Sequence, residues 1–98
     1  MRIPNNKERN LLITKCALDG YTLKQVGTVF GGLTSPRIMQ IISTICFKHA
    51  PHIYNEIMPP PTERQPGYRG LVSIIRLRKY RNRLKTIIEE VITDVIHN

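Results

Sequence analysis

The sequence is poor in the features that mark secreted and membrane proteins. No apolar run in its 98 residues approaches the roughly 20 that a membrane span needs, and the first residues lack the apolar core of a secretory signal. The chain has only two cysteines, Cys16 and Cys46; each is flanked by helix-patterned residues, so we expect both to lie reduced in the core, although a bridge between them stays open. We therefore expect a cytoplasmic protein that does not bind membranes.

Residues that carry catalysis or bind metals are also scarce. No serine lies in a nucleophile-elbow context, no glycine loop of the phosphate-binding type occurs, and the few carboxylates are scattered or lie near the C-terminus. Cys46, His49 and His52 have the spacing of metal ligands, but a structural zinc site needs four ligands and Cys16 is distant in the sequence. We expect neither an enzyme nor a bound metal or cofactor.

Positive charge, by contrast, is abundant. The chain has 15 lysines and arginines against 7 acidic residues, which gives a net charge of +8. Between Arg64 and Lys85 there are eight basic residues and no acidic one. Because phosphate contacts supply most of the nonspecific affinity for nucleic acids, this balance favours a polyanionic partner, although charge alone does not separate DNA from other polyanions.

The first of two closely spaced helices has a clear start. Thr22 can cap it, and Gln25 can reach back to the amide of the cap, which is the spacing of a capping box. Leu23 and Val26 begin its apolar face. Glycine inside a helix costs about 1 kcal/mol relative to alanine, so Gly27 predicts that another helix crosses closely there.

A glycine turn separates this helix from a second one. Gly31 and Gly32 can adopt positive φ without steric cost, and Thr34 or Ser35 can cap the helix that follows. That helix should end near residue 49, because Pro51 cannot continue it. Two helices joined by such a turn are typical of a helix-turn-helix, which presents its second helix to the major groove of DNA.

The second helix has a polar face without an acidic residue. Its members are Arg37, Gln40, Thr44 and Lys48, and we add Ser35 at its start as a DNA-binding residue. Arginine pairs with guanine and glutamine with adenine, whereas lysine suits a phosphate. An ordinary solvated face is the alternative, but its place after a capped glycine turn favours DNA contact.

These residues resemble a known family. The similarity lies in Gly20 to Gly27, Phe30-Gly31, Leu33-Thr34, Arg37-Ile38 and Gln40-Ile41. This third of the chain looks like the fourth conserved region of bacterial primary-type sigma factors, and residues 7–18 are similar to the helix that precedes it. In that family the region binds the upstream promoter element through the major groove and packs on the flap of RNA polymerase. The resemblance implies a transcription-related DNA-binding module, with Arg37 and Gln40 at matching positions.

The chain also departs from that family. Ser35-Pro36 stands where an arginine-glutamate pair is usual, Met39 replaces another arginine, and Gly32 is an extra residue in the turn. Promoter specificity therefore does not transfer. The chain has no room for the other sigma regions, so we expect a detached and diverged relative of one module.

A linker and a further helix follow. Residues 58–67 contain four prolines in ten positions, which favours an extended segment. We expect a helix-turn-helix domain at residues 1–58, a proline-rich linker at 59–67 and a basic amphipathic helix at 68–98. The helix has an apolar stripe through Ile74, Leu77, Leu84 and Ile88.

The charges of this last helix oppose the helix dipole. Its basic half holds Arg76, Arg78, Lys79, Arg81 and Arg83, whereas its acidic residues come at the end. Phosphate contacts would offset this arrangement, and so would antiparallel pairing of two chains through residues 74–95. The third explanation is that the helix folds back on its own domain to complete the core.

The sequence therefore predicts an all-α, non-enzymatic transcription regulator that binds double-stranded DNA through the second helix of a helix-turn-helix. An interaction protein that binds RNA polymerase or a sigma factor is an alternative. So is a phage-type DNA-packaging or assembly protein, which would form larger oligomers than a regulator.

Overall fold

The computed structural model describes residues 6–58, 62 and 70–97. Within these residues the chain forms six α-helices and no β-strand, which confirms the predicted all-α class. The helices are α1 (Asn6–Leu18), α2 (Leu23–Val29), α3 (Ser35–His49), α4 (Pro51–Ile57), α5 (Ile74–Lys79) and α6 (Arg81–His97). None of them is both long and apolar enough to cross a membrane.

The first three helices pack around the apolar face of α3. Both α1 and α2 contact α3, and α1 also contacts α2. Ile38 and Ile42 of α3 are fully buried, in one hydrophobic cluster with Leu11 and Ile13 of α1 and Val26 of α2. The isoleucine spacing of α3 thus faces the core, as the 3.6-residue period predicts, and the polar face of α3 is directed away from it.

The helix starts that the sequence predicts are present. The amide of Gln25 donates to Oγ1 of Thr22 at 3.1 Å, and the amide of Thr22 donates to Oε1 of Gln25 at 2.9 Å, so α2 has a complete capping box. Thr34, rather than Ser35, caps α3, since its Oγ1 accepts the amide of Arg37 at 3.3 Å. Each cap satisfies a backbone donor that the helix itself leaves free.

The turn between α2 and α3 needs its glycines. Gly31 and Gly32 have φ of +93° and +82°, which residues with a side chain rarely adopt. The amides of Gly32 and Leu33 donate to the carbonyl oxygen of Gly27 at 2.8 and 3.0 Å. A Cβ on Gly27 would overlap the carbonyl oxygen of Leu33, so a close approach is present at this glycine, but it comes from the turn before α3 rather than from a crossing helix.

Beyond α3 the chain turns at once into α4. α3 ends at His49, as predicted, and Pro51 is the first residue of α4, where its missing amide hydrogen costs nothing. Ile53 and Ile57 of α4 are fully buried in the same core. The linker proposed for residues 59–67 lies outside the described residues, except for Thr62, so the predicted domain boundaries stay a prediction.

The continuous helix predicted from residue 68 is wrong at its start. Gly70 has φ of +75°, and the residues up to Ser73 are not helical. The amide of Val72 donates to Oγ of Ser43 at 3.0 Å, and the amide of Ser73 donates to the carbonyl of Ile57 at 3.0 Å. Because these amides bind α3 and α4, residues 70–73 are held against those helices as a strap, and helix α5 begins only afterwards.

The predicted helix is also interrupted at Tyr80. The Tyr80 amide donates to the carbonyls of both Arg76 and Leu77, at 3.3 and 3.2 Å, and this tightens the last turn of α5. The Tyr80 carbonyl then accepts the amide of Leu84 at 3.0 Å in the first turn of α6. The apolar pattern does not predict this break, because Leu77 before it and Leu84 after it are both buried.

Helix α6 completes the core of its own chain. Leu84 and Ile88 are fully buried, and α6 packs mainly on α1 and also on α3. The end of α1 lies beside the start of α6, where Asp19 pairs with Lys85, and the start of α1 lies beside the end of α6. The two helices are therefore antiparallel. The structure has the folded-back arrangement, so the stripe that predicted pairing of two chains is occupied within one.

A small ion-pair network joins these two helices. Asp19 binds Lys85 at 2.8 Å and Lys15 at 2.9 Å, each through a different carboxylate oxygen. The hydrogen bonds from Lys85 and then Lys15 lower the pKa of Asp19, and the bond to Asp19 raises the pKa of Lys15. Lys85 belongs to the basic run of the sequence, but its charge is used inside the fold.

Candidate nucleic-acid interface

The polar face of α3 is open to solvent. Arg37, Thr44 and Lys48 are exposed, Gln40 is half-buried, and Ser35 lies half-buried in the first turn. We call Arg37, Gln40, Thr44 and Lys48 the α3 face. It carries two cations and two hydrogen-bonding side chains, and α3 contains no acidic residue. This face can approach a polyanion without a repulsive charge of its own helix.

Within the α3 face, neighbouring side chains interact only weakly with one another. Nη1 of Arg37 donates to Oε1 of Gln40 at 3.4 Å, which is long for a hydrogen bond. The hydroxyl of Thr44 donates to the carbonyl of Gln40 at 2.9 Å, so its donor is used by the helix. The weak contact orders Arg37 and Gln40 side by side and can give way to a stronger partner.

An open groove of about 480 Å³ runs along the α3 face. Its other wall is the strap at residues 70–73 together with the aromatic ring of α4. The lining residues are Arg37, Gln40, Ser43, Thr44, Phe47, Tyr54, Gly70 and Leu71. None of these residues is acidic, so the groove combines a cation, several hydrogen-bonding groups and an aromatic surface.

Phe47 is one of the groove residues that the sequence did not lead us to predict, together with Ser43, Tyr54, Gly70 and Leu71. It is 64% exposed, although large apolar side chains are usually buried. Its ring meets that of Tyr54 edge to face, with centroids 5.3 Å apart and planes at 75°. A signal was available, because position 47 is seven residues after Gln40 and therefore lies on the same helical face.

The far wall of the groove is held by specific contacts. The hydroxyl of Tyr54 donates to the carbonyl of Gly70 at 2.6 Å. A Cβ on Gly70 would lie 2.8 Å from that hydroxyl, so a glycine is needed both for the positive φ and for the close approach. On the α3 side, Oγ of Ser43 accepts the amide of Val72 and donates to the carbonyl of Met39 at 2.7 Å.

A second cationic surface lies on α5 and at the start of α6. Its five members are all exposed, and we call them the basic cluster: Arg76, Arg78, Lys79, Arg81 and Arg83. The guanidinium of Arg83 lies 5.9 Å from the ring centroid of Tyr80, within cation–π range. Leu71 in the groove and Arg76 are five positions apart in the chain, so their Cα atoms are at most about 18 Å apart.

The cysteines and histidines do not form a site with this interface. Both cysteines are free thiols, and burial raises the pKa of Cys46 to about 12. Burial, followed by the charge of Lys48, lowers the pKa of His49. Among the described residues, no group of three or more potential ligands is placed to hold a metal ion.

Comparison with known proteins adds no relative. The chain matches no protein-family model, no curated protein and no solved structure. The resemblance to sigma-factor region four therefore stays a hypothesis drawn from the residues that carry it.

Proposed function

We propose that the protein is a cytoplasmic transcription regulator that binds double-stranded DNA, with α3 in the major groove as the second helix of a helix-turn-helix. The observation that carries the proposal is the α3 face, exposed and free of acidic side chains while the opposite side of α3 is fully buried. A helix anchored on one side and polar on the other is the form in which proteins present base-reading side chains.

The dimensions and the residue types agree with this role. An α-helix with its side chains is about 10–12 Å wide, and the major groove is about 12 Å wide. Arg37 can make a bidentate pair with guanine, and Gln40 can do so with adenine. Both lie in the first half of α3, which is the half that contacts base edges in helix-turn-helix proteins. The resemblance to sigma factors matches the same two residues.

The basic cluster would add affinity. Its five cations can neutralise phosphates on either side of the groove that α3 occupies, and such contacts carry no sequence information. Since α6 and α3 share one core, the position of one surface relative to the other is fixed. The regulator would thus separate sequence reading on α3 from phosphate contact on α5 and α6.

The test is selection of a target sequence from random duplexes, followed by measurement of specific and nonspecific affinity. Arg37→Ala and Gln40→Ala should each weaken binding to the selected target by about 1–3 kcal/mol and bring it closer to binding of random duplex. Arg78→Ala removes the same charge as Arg37→Ala from the basic cluster. It should weaken target and random duplex alike, and so leave their ratio unchanged.

Two results would contradict the proposal. One is a selection that yields no preferred sequence while the protein remains folded. The other is that Arg37→Ala and Gln40→Ala have the same ratio of target affinity to random-duplex affinity as the parent. Either would mean that α3 does not read bases.

A second candidate is an interaction protein that binds RNA polymerase or a sigma factor. The observation that favours it is Phe47, because an exposed aromatic ring in a groove that Arg37 also lines is a typical anchor of protein interfaces. Such a protein would retain polymerase from a host lysate even after nuclease treatment. Loss of that retention in Phe47→Ala, with DNA binding absent from the parent, would support this candidate over the first.

A further inference from the structure

The proposed recognition of paired DNA by α3 assigns no role to Phe47. Base edges of a paired duplex are recognised by hydrogen bonds, or by apolar contacts with the thymine methyl group, which a phenyl ring can also make. A phenyl ring with most of its surface open offers in addition a face on which a flat ring can stack. Such faces are used where proteins bind unpaired bases.

We propose that the groove beside α3 accepts an unpaired nucleobase of DNA, stacked on Phe47. The inference rests on the proposed function, since it concerns the same DNA-binding surface. It specifies the substrate further: DNA that contains a single-stranded or extruded base next to the duplex that α3 contacts.

The shape of the groove fits such a ligand. Its volume of about 480 Å³ lies within the range of sites that hold small organic ligands. The contact with Tyr54 supports Phe47 from one side, while 64% of Phe47 stays exposed. Tyr54 is itself fixed by its hydrogen bond to the Gly70 carbonyl, so the aromatic platform is held in place before a ligand arrives.

The chemistry of the other walls fits as well. The side-chain amide of Gln40 has both an acceptor oxygen and an NH₂ donor with which to pair the edge of a base, and Arg37, at the other end of the groove from Phe47, can bind a phosphate of the same DNA. Among the described residues, no acidic side chain lines the groove to repel the DNA backbone. A protein partner would also find an aromatic anchor here, but the absence of acidic residues together with the net charge of +8 favours DNA.

The experiment compares three DNA probes of one selected sequence: a fully paired duplex, the same duplex with one bulged thymidine, and the same bulge with an abasic site. The parent should bind the bulged duplex more tightly than the other two. Phe47→Ala should remove this advantage, lowering affinity for the bulged probe roughly 5- to 150-fold while leaving the paired duplex unchanged.

Further variants separate stacking from other effects of Phe47. Phe47→Trp keeps a π face and should keep the preference for the bulge. Phe47→Leu keeps apolar bulk without a π face and should lose it. Tyr21→Ala is the matched control, because Tyr21 is also an exposed aromatic residue, at 56%, but lines a different groove between α1 and α2. It should change no affinity.

The outcomes distinguish this inference from the proposed function. Sequence-specific binding of paired duplex without any advantage for the bulge would overturn the inference alone. A Phe47-dependent advantage for the bulge, with no sequence preference on paired DNA, would sustain the inference and overturn major-groove reading. Phe47→Leu binding as well as the parent would also overturn stacking, and binding of none of the probes would overturn both proposals.

Discussion

The α3 face and the basic cluster are both cationic and exposed, yet they differ in what surrounds the charges. Arg37 stands in a groove with a glutamine, an aromatic ring and a fixed strap as neighbours. Arg78 and Arg81 are exposed on either side of the break at Tyr80, and their neighbours in the sequence include other exposed cations. A surface of the first kind can distinguish one ligand from another by shape and hydrogen bonding. A surface of the second kind can only attract negative charge.

The two surfaces depend on one core. Val72 and Ser73 bind to α3 and α4 directly before α5, and Leu84 and Ile88 fill the space against α1 and α3 directly after it. The basic cluster lies between these two attachments. Its position relative to α3 is therefore set by packing, which is the reason that changes to the core should affect both surfaces at once.

The largest effect should come from breaking that shared core at Leu84. Leu84→Asp places a carboxylate at a site with 0% exposure, and we expect it to lower the free energy of unfolding by more than about 4 kcal/mol. Leu84→Ala, which leaves a cavity instead, should cost about 2–5 kcal/mol and remain folded enough to measure. Urea denaturation followed by circular dichroism gives both values.

Thr93→Asp is the control, since Thr93 is exposed on the same helix and should tolerate a carboxylate. Sedimentation of the parent and of Leu84→Ala should give one and the same monomer mass. The opposite result would be a parent that sediments as a dimer and a Leu84→Ala variant that sediments as a monomer with the same free energy of unfolding. It would show that residues 74–95 pair two chains instead.

The next effect concerns the basic cluster alone. Replacing its five cations with glutamine should flatten the dependence of duplex affinity on salt by about 0.9 in log–log slope per lost phosphate contact. If all five contact phosphates, the parent loses roughly 500-fold more affinity than the variant between 50 and 200 mM salt. Fluorescence anisotropy across that range measures the slope.

The matched control keeps the charges and changes the arginines of the cluster to lysine. Its slope should equal that of the parent, because counterion release follows charge. The preference for the selected sequence should survive in both variants. A glutamine variant with the parent's slope would place the basic cluster away from the DNA.

A smaller effect should follow from disturbing the turn that presents the α3 face. Gly27→Ala improves the helix propensity of α2, but the new Cβ overlaps the carbonyl of Leu33 and approaches Ile38 to 3.8 Å. We expect a net loss of about 1–3 kcal/mol in unfolding free energy, as for other overpacked sites. Thr28→Ala, on the exposed side of the same helix, should stay within about 0.5 kcal/mol of the parent. Equal stability of Gly27→Ala and the parent would mean that the turn can move freely.

The two regions also differ in how far the sequence predicts them. In the first half, the caps at Thr22 and Thr34 and the glycines of the turn are local signals, decided by residues within four positions of each other. The helix bounds of α2 and α3 follow from them. The exposed members of the α3 face also follow, because their positions need only the helical period.

The structure of the second half depends on contacts between residues that are far apart in the sequence, and no local pattern predicts such contacts. The strap exists because the amide of Val72 meets Ser43, a residue 29 positions earlier. The break at Tyr80 suits the packing of α5 and α6 on different neighbours, and it leaves the apolar period intact. The strap forms the second wall of the groove beside Phe47. The residue pattern of α3 alone therefore could not predict this groove.

The smallest effect should come from the ion pairs that join α1 to α6. Asp19→Asn removes two partly exposed pairs, each worth about 0.2–1 kcal/mol, so we expect a loss of about 1 kcal/mol at pH 7.

Because the pairs lower the pKa of Asp19 in the folded state, its ionised form stabilises the fold above the unfolded pKa near 3.8. That contribution is lost as the pH falls through the folded pKa. The difference between parent and variant should therefore vanish in acid, and it should shrink in high salt at neutral pH. Asp94→Asn is the control, because it removes an exposed carboxylate near the other end of α6, and it should change the free energy of unfolding less than Asp19→Asn does. A difference between Asp19→Asn and the parent that is the same at pH 7 and at pH 2 would show that Asp19 stabilises the junction by packing rather than by charge.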